Sequence, residues 1–161
     1  VRGIDLACSR PKADLSRIFA EGGSQGGAFT MIAAALDKRV RAIATFVPFL
    51  SDYPDYFQVA QWPGNEILRS AKRLGIPDEE LYRTLSYFDV KNFPDRIHCT
   101  VLMGFGLQDE TCPPHTNFAA YNNIPADTEK SWICFPLSGH HVEREPGWSK
   151  ARDAFFARYD R

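Results

Sequence analysis

The chain is 161 residues long, with 44% hydrophobic and 24% charged residues and a formal net charge of −1. That length suits one domain with a real core, since a chain of about 150 residues buries roughly 70% of its unfolded surface. The balanced charge gives no electrostatic case for nucleic acid or an anionic membrane, and no apolar run approaches the ~18 residues that span a bilayer.

Val1 to Ser9 has the character of a helix end running into the loop Arg10-Pro11-Lys12-Ala13-Asp14. With no start methionine and no export-signal pattern, the sequence is expected to begin partway through a domain, and its compartment stays unassigned. A short apolar run, Ile18 to Ala20, then enters Gly22-Gly23-Ser24-Gln25-Gly26-Gly27, and a helix-friendly run, Ala28 to Leu36, follows. Strand, sharp turn and helix with a serine at the apex is the context of the G-x-S-x-G nucleophile elbow, with Gly22, Ser24 and Gly26 at its fixed positions. The serine needs a strained backbone that pushes its Oγ above the sheet end. Glycine two residues either side is expected where a side chain would collide with the strand and helix. The N–H of Gln25, opening the helix, would face a developing oxyanion. The plain alternative is a glycine-rich turn with a bystander serine.

Val40 to Val47 has the β-branched, apolar character of a strand buried on both faces, ended by Pro48. Phe49 to Gly64, rich in aromatics and proline, is expected to be a lid over the strand ends or a subunit contact, or simply aromatics packed under a loop. Glu66 to Leu74 and Asp78 to Phe88 are expected helices, with Gly75 closing the first and Pro77 opening the second. A strand is expected at Cys99 to Met103, a loop at Gly104 to Asp109, and a helix at Pro113 to Asn123. A strand at Lys130 to Phe135, the loop Pro136 to His141 and a closing helix at Gly147 to Tyr159 complete the order. Alternating strands and helices imply an α/β fold with a parallel sheet. Cys8, Cys99, Cys112 and Cys134 are widely spaced with no C-x-x-C pair, so no metal site is expected. Cys99 and Cys134, in apolar runs, are expected to be buried thiols.

In doubly wound sheets the site lies at the carboxyl ends of the strands. Ser24, Asp109 and His140 all fall at such ends, in the α/β-hydrolase order of serine, acid, histidine, with gaps of 109 − 24 = 85 and 140 − 109 = 31 residues. A serine hydroxyl barely ionises at neutral pH and needs a base; an acid must hold that base in the right tautomer. Asp109 could instead be a turn aspartate bonded to its own backbone. Asp52 and Asp55 are rival acids beyond the preceding strand, and spacing alone leaves His140 and His141 even. His98 precedes a strand at the wrong end, and His115 sits in a helix after Asp109.

Several segments together resemble carbohydrate esterase family 7, the acetyl xylan esterases and cephalosporin C deacetylases. They are the Gly22 to Gly27 run, Ala34-Ala35-Leu36-Asp37 with Arg39-Val40, Val47 to Leu50, Arg83 to Asp89, and Gly106 to Asn122. The resemblance spans almost the whole chain. It implies an α/β-hydrolase fold, a mostly parallel sheet with helices on both faces, of which residues 1–161 are the carboxyl-terminal part of a single catalytic domain. The family's N-terminal strands, its Arg-Gly-Gln motif and its second oxyanion donor would lie upstream. It further implies a serine esterase that removes acetyl groups from acetylated xylan, xylo-oligosaccharides and small acetyl esters through an acetyl-enzyme. In this reading Ser24 is the nucleophile, Asp109 the acid, His140 the base and the Gln25 N–H an oxyanion donor. His141 stands where the family's His-Glu motif has Glu. Pro48 and Phe49 are expected to line the substrate pocket. No cofactor, nucleic acid or membrane partner is implied; a homo-oligomer is, since family members form hexamers. The rival readings are a serine peptidase of the prolyl oligopeptidase type, against which Gln25 in place of Tyr counts, and a non-catalytic module that associates through Phe49 to Trp62.

Overall fold

The computed structural model describes residues 1–159. Four strands, β1 (Ile18–Gly23), β2 (Val40–Phe46), β3 (Thr100–Gly106) and β4 (Lys130–Phe135), form one sheet in that spatial order, every pair parallel. Parallel neighbours need crossovers. These are α2 (Gln25–Leu36) between β1 and β2, and α6 (Pro114–Asn122) between β3 and β4. Between β2 and β3 lie α3 (Tyr53–Val59), α4 (Gly64–Arg73) and α5 (Asp78–Ser86). Helix α1 (Arg2–Cys8) precedes the sheet and α7 (Pro146–Ala157) follows it.

The alternation of side chains along each strand divides the core between two faces. On one, Val40 and Ile43 of β2 and Val101 and Met103 of β3 meet Ala28, Met31 and Ala34 of α2 and Ala120 and Tyr121 of α6. On the other, Ala42, Ala44 and Leu102 meet Val142, Trp148 and Phe155. Helices therefore cover both faces, which is why the central strands are apolar almost throughout.

Several features differ from the sequence expectation. Gly104, Phe105 and Gly106 are strand, not loop, because they pair with Ile133, Cys134 and Phe135 of β4. Local glycine content gave way to long-range pairing. The segment after Pro48 is not only loop: Tyr53, Tyr56 and Phe57 share one face of α3 and pack with Phe49, Leu50, Ile67 and Leu85 into a small separate cluster. Asp89 moors it, its buried carboxylate accepting from the backbone N–H groups of Asp52 (2.9 Å), Tyr53 (3.0 Å) and Lys91 (3.0 Å). Cys99 and Cys134 are only half-buried, whereas Cys112 is buried. Gly75 does close α4 with φ +68°, a conformation open to glycine.

Candidate active site

Ser24 stands between β1 and α2 with φ 54° and ψ −125°, a backbone state that costs a non-glycine residue about 1–3 kcal/mol. Surrounding bonds hold it there. Its N–H donates to the Phe46 carbonyl (3.0 Å), and its carbonyl accepts from Phe49 N–H (3.0 Å) and Ala28 N–H (3.1 Å). A Cβ on Gly22 would lie 2.4 Å from the Gly26 carbonyl oxygen, so that position admits only glycine. Gly26 itself faces open space; the tight position is Gly27, whose Cβ would come within 2.9 Å of the Phe46 carbonyl oxygen. The collision expected at Gly26 thus belongs to its neighbour, where α2 crosses β2. Gln25 is the first residue of α2, so its N–H is one of the four without an intrahelical acceptor.

Asp109 lies just beyond β3 and is buried. Its Oδ1 accepts from the backbone N–H groups of Thr111 and Cys112, both at 2.8 Å. The turn is braced by Asn117, whose amide donates to the carbonyls of Cys112 and Pro113, each at 3.1 Å. With Oδ1 so occupied, Oδ2 is left 2.9 Å from Nδ1 of His140. The two loops can meet because Gly106 has no side chain: a Cβ there would sit 2.2 Å from the Ser138 carbonyl oxygen. Gln108 N–H then donates to that oxygen at 3.0 Å.

The hydrogen bond from His140 to the Asp109 carboxylate, helped by the negative charges of Asp109 and Glu143, raises the imidazole pKa above its ordinary value, against an opposing contribution from burial. A cavity of about 260 Å³ opens over Ser24 and His140, walled by Gly23, Phe46, Val47, His141 and Glu143. The serine hydroxyl does not hydrogen-bond to His140 in this conformation. It lies by the Cys112 thiol, whose pKa burial and then Asp109 push up and the Ser24 hydroxyl pulls down.

The other candidates sort themselves by partner. His141 is exposed and pairs with Glu143 (3.0 Å). Asp52 pairs with Lys91, and Asp55 with His115 (3.0 Å). His98 lines a separate cavity with Lys38, Arg41 and Arg96, away from Ser24. Pro48 is buried and Phe49 packs edge-on against Tyr56 (5.5 Å); neither lines the cavity over Ser24, where Phe46 and Val47 stand instead. Cys112, beside the Ser24 hydroxyl, is a site neighbour absent from the sequence expectations. Its spacing three after Asp109, at a proline-bounded turn, was the available signal.

The sequence profile of the acetyl xylan esterase (AXE1) family matches residues 1–158. The chain belongs to that family. It is 35% identical over 150 residues to the acetyl esterase Axe7A of Xylanibacter ruminicola, covering 93% of this chain and 33% of that protein. It superposes on an acetyl xylan esterase from Paenibacillus sp. R4 with TM-score 0.89 and 38% identity, over 98% of this chain and 50% of the other. Acetyl xylan esterase 1 from Thermoanaerobacterium sp. JW/SL YS485 gives 0.85 and 36%, over 94% and 48%. The chain therefore spans a third to a half of the length of these relatives. An acylaminoacyl peptidase from Pyrococcus horikoshii, 17% identical with TM-score 0.74, shares the α/β-hydrolase fold.

Proposed function

We propose that this chain carries the nucleophile, base and acid of a serine esterase that removes acetyl groups from acetylated xylan, xylo-oligosaccharides and related small acetyl esters. The observation that supports this most is the 2.9 Å contact of His140 Nδ1 with a buried carboxylate, beside a serine held at φ 54°.

An ionised carboxylate only accepts, so Asp109 fixes the proton of neutral His140 on Nδ1 and leaves the lone pair on Nε2. Rotation of the Ser24 hydroxyl from Cys112 towards His140 presents its proton to that lone pair; such contacts commonly tighten only when substrate is bound. Ser24 Oγ attacks the acetyl carbonyl, His140 takes the hydroxyl proton, and Asp109 stabilises the imidazolium. The tetrahedral oxyanion meets the Gln25 N–H. His140 returns the proton to the departing sugar hydroxyl, and water, deprotonated by the same imidazole, releases acetate.

Turnover of an acetyl ester against a peptide anilide tests the assignment. Hydrolysis of the acetyl ester alone is expected; preferential cleavage of the anilide would overturn it in favour of a peptidase.

A further inference from the structure

The reaction as derived uses no property of the Cys112 side chain, yet that thiol is 1% exposed and stands among the reacting groups. One donor atom each from Asp109, Cys112 and His140 lies within 4.8 Å of the other two. A four-coordinate zinc, with Zn–S of about 2.3 Å and Zn–N of about 2.0 Å, sets its ligands roughly 3.5 Å apart. Closing the triangle therefore needs side-chain shifts on the order of an ångström. The donor set is one sulfur, one imidazole nitrogen and one carboxylate oxygen. That mixture suits zinc and related borderline cations, whereas calcium and magnesium take oxygen.

We propose that Cys112, His140 and Asp109 form a binding site for Zn²⁺ that overlaps the esterase machinery, so that a bound ion holds the enzyme inactive. The ion takes the place of the proton between Asp109 Oδ2 and His140 Nδ1; that proton moves to Nε2, so His140 ligates as a neutral imidazole through Nδ1 and Asp109 through Oδ2. The Cys112 thiol gives its proton to solvent, so one Zn²⁺ enters for one H⁺ released and no electron moves. Occupancy consequently rises with pH. The ion ends the exchange of protons between His140 and Ser24, because the imidazole is committed to the metal. The effect on turnover rests on the triad reading above; the binding of the ion does not.

Cobalt(II) and zinc(II), each added alone to the metal-free protein, separate the two. Cobalt bound through a thiolate gives a sulfur-to-metal charge-transfer band in the near ultraviolet, which Zn²⁺ should bleach by displacement. The band should vanish in Cys112→Ser, Cys112→Ala and His140→Ala, with folding of each checked by circular dichroism. The Zn²⁺ concentration that halves aryl acetate hydrolysis, taken relative to each variant's own metal-free rate, should rise about tenfold or more in the two Cys112 variants. Absence of the band in the wild-type protein, or a band and a zinc sensitivity unchanged by Cys112→Ser and Cys112→Ala, would overturn the site. A Cys112-dependent band without inhibition would uphold the ion site and count against His140 as the base.

Discussion

Two loops leave neighbouring parallel strands at the same rim of the sheet, and each carries an aspartate. After β3, Asp109 is buried, with one oxygen filled by the N–H groups of Thr111 and Cys112 and the other turned to His140. After β2, Asp52 has φ 53°, starts α3, and gives its carboxylate to Lys91 at a half-exposed site. A place at a strand's carboxyl end therefore does not by itself bring a carboxylate to an imidazole. What separates the two is the backbone of each loop. One converges two N–H groups on a carboxylate and leaves a single oxygen to aim; the other hands its carboxylate to a flexible cation.

The largest effects should come from the groups the first loop serves. Ser24→Ala and His140→Ala should each lower kcat by about 10⁴–10⁶-fold, measured on an aryl acetate. Asp109→Asn, which keeps the shape but loses the charge and the tautomer preference, should cost about 10⁴-fold. Asp52→Asn should leave kcat/KM within about threefold and lower stability by about 1 kcal/mol or less in denaturant unfolding, as expected for a partly exposed ion pair. A large loss of turnover in Asp52→Asn would erase the distinction between the loops.

The pH profile sharpens the same contrast. His140, the proposed base, has its pKa raised by Asp109, so the imidazole stays protonated to a higher pH than the ordinary ~6.5. The acid limb of kcat/KM should lie above that value in the wild-type protein and move down in Asp109→Asn. Stability runs the other way. A group whose folded pKa is raised contributes fully below its unfolded pKa, and the contribution fades as pH climbs through the folded one. The smallest effect belongs to His141→Ala, which removes an exposed pair with Glu143 and should change kcat/KM by about threefold or less.

Much of this arrangement was legible in the sequence, and the exceptions share a cause. The strand Lys130–Phe135 and the start of α2 at Gln25 have the expected bounds, because apolar runs and the glycine-serine turn are local signals. The Asp109 turn is also local: the alternative of an aspartate bonded to its own loop backbone is met at Oδ1, through the N–H groups of Thr111 and Cys112, while Oδ2 is left to His140. Gly104 to Gly106 escaped because β4, some 30 residues on, decides their state. The walls of the cavity, Phe46 and Val47 in place of Pro48 and Phe49, depend on where the chain turns after β2, with Val47 itself at φ 41°. The meeting of Cys112 with His140 requires two loops to approach across Gly106, which no spacing encodes.

The most direct test of the central claim is the site and rate of labelling by a fluorophosphonate probe, read by peptide mass spectrometry. The adduct should sit on Ser24, form at near wild-type rates in Asp52→Asn and His141→Ala, and be nearly abolished in His140→Ala and Asp109→Asn. An adduct on another residue, or labelling of Ser24 that proceeds equally well without His140, would contradict the account.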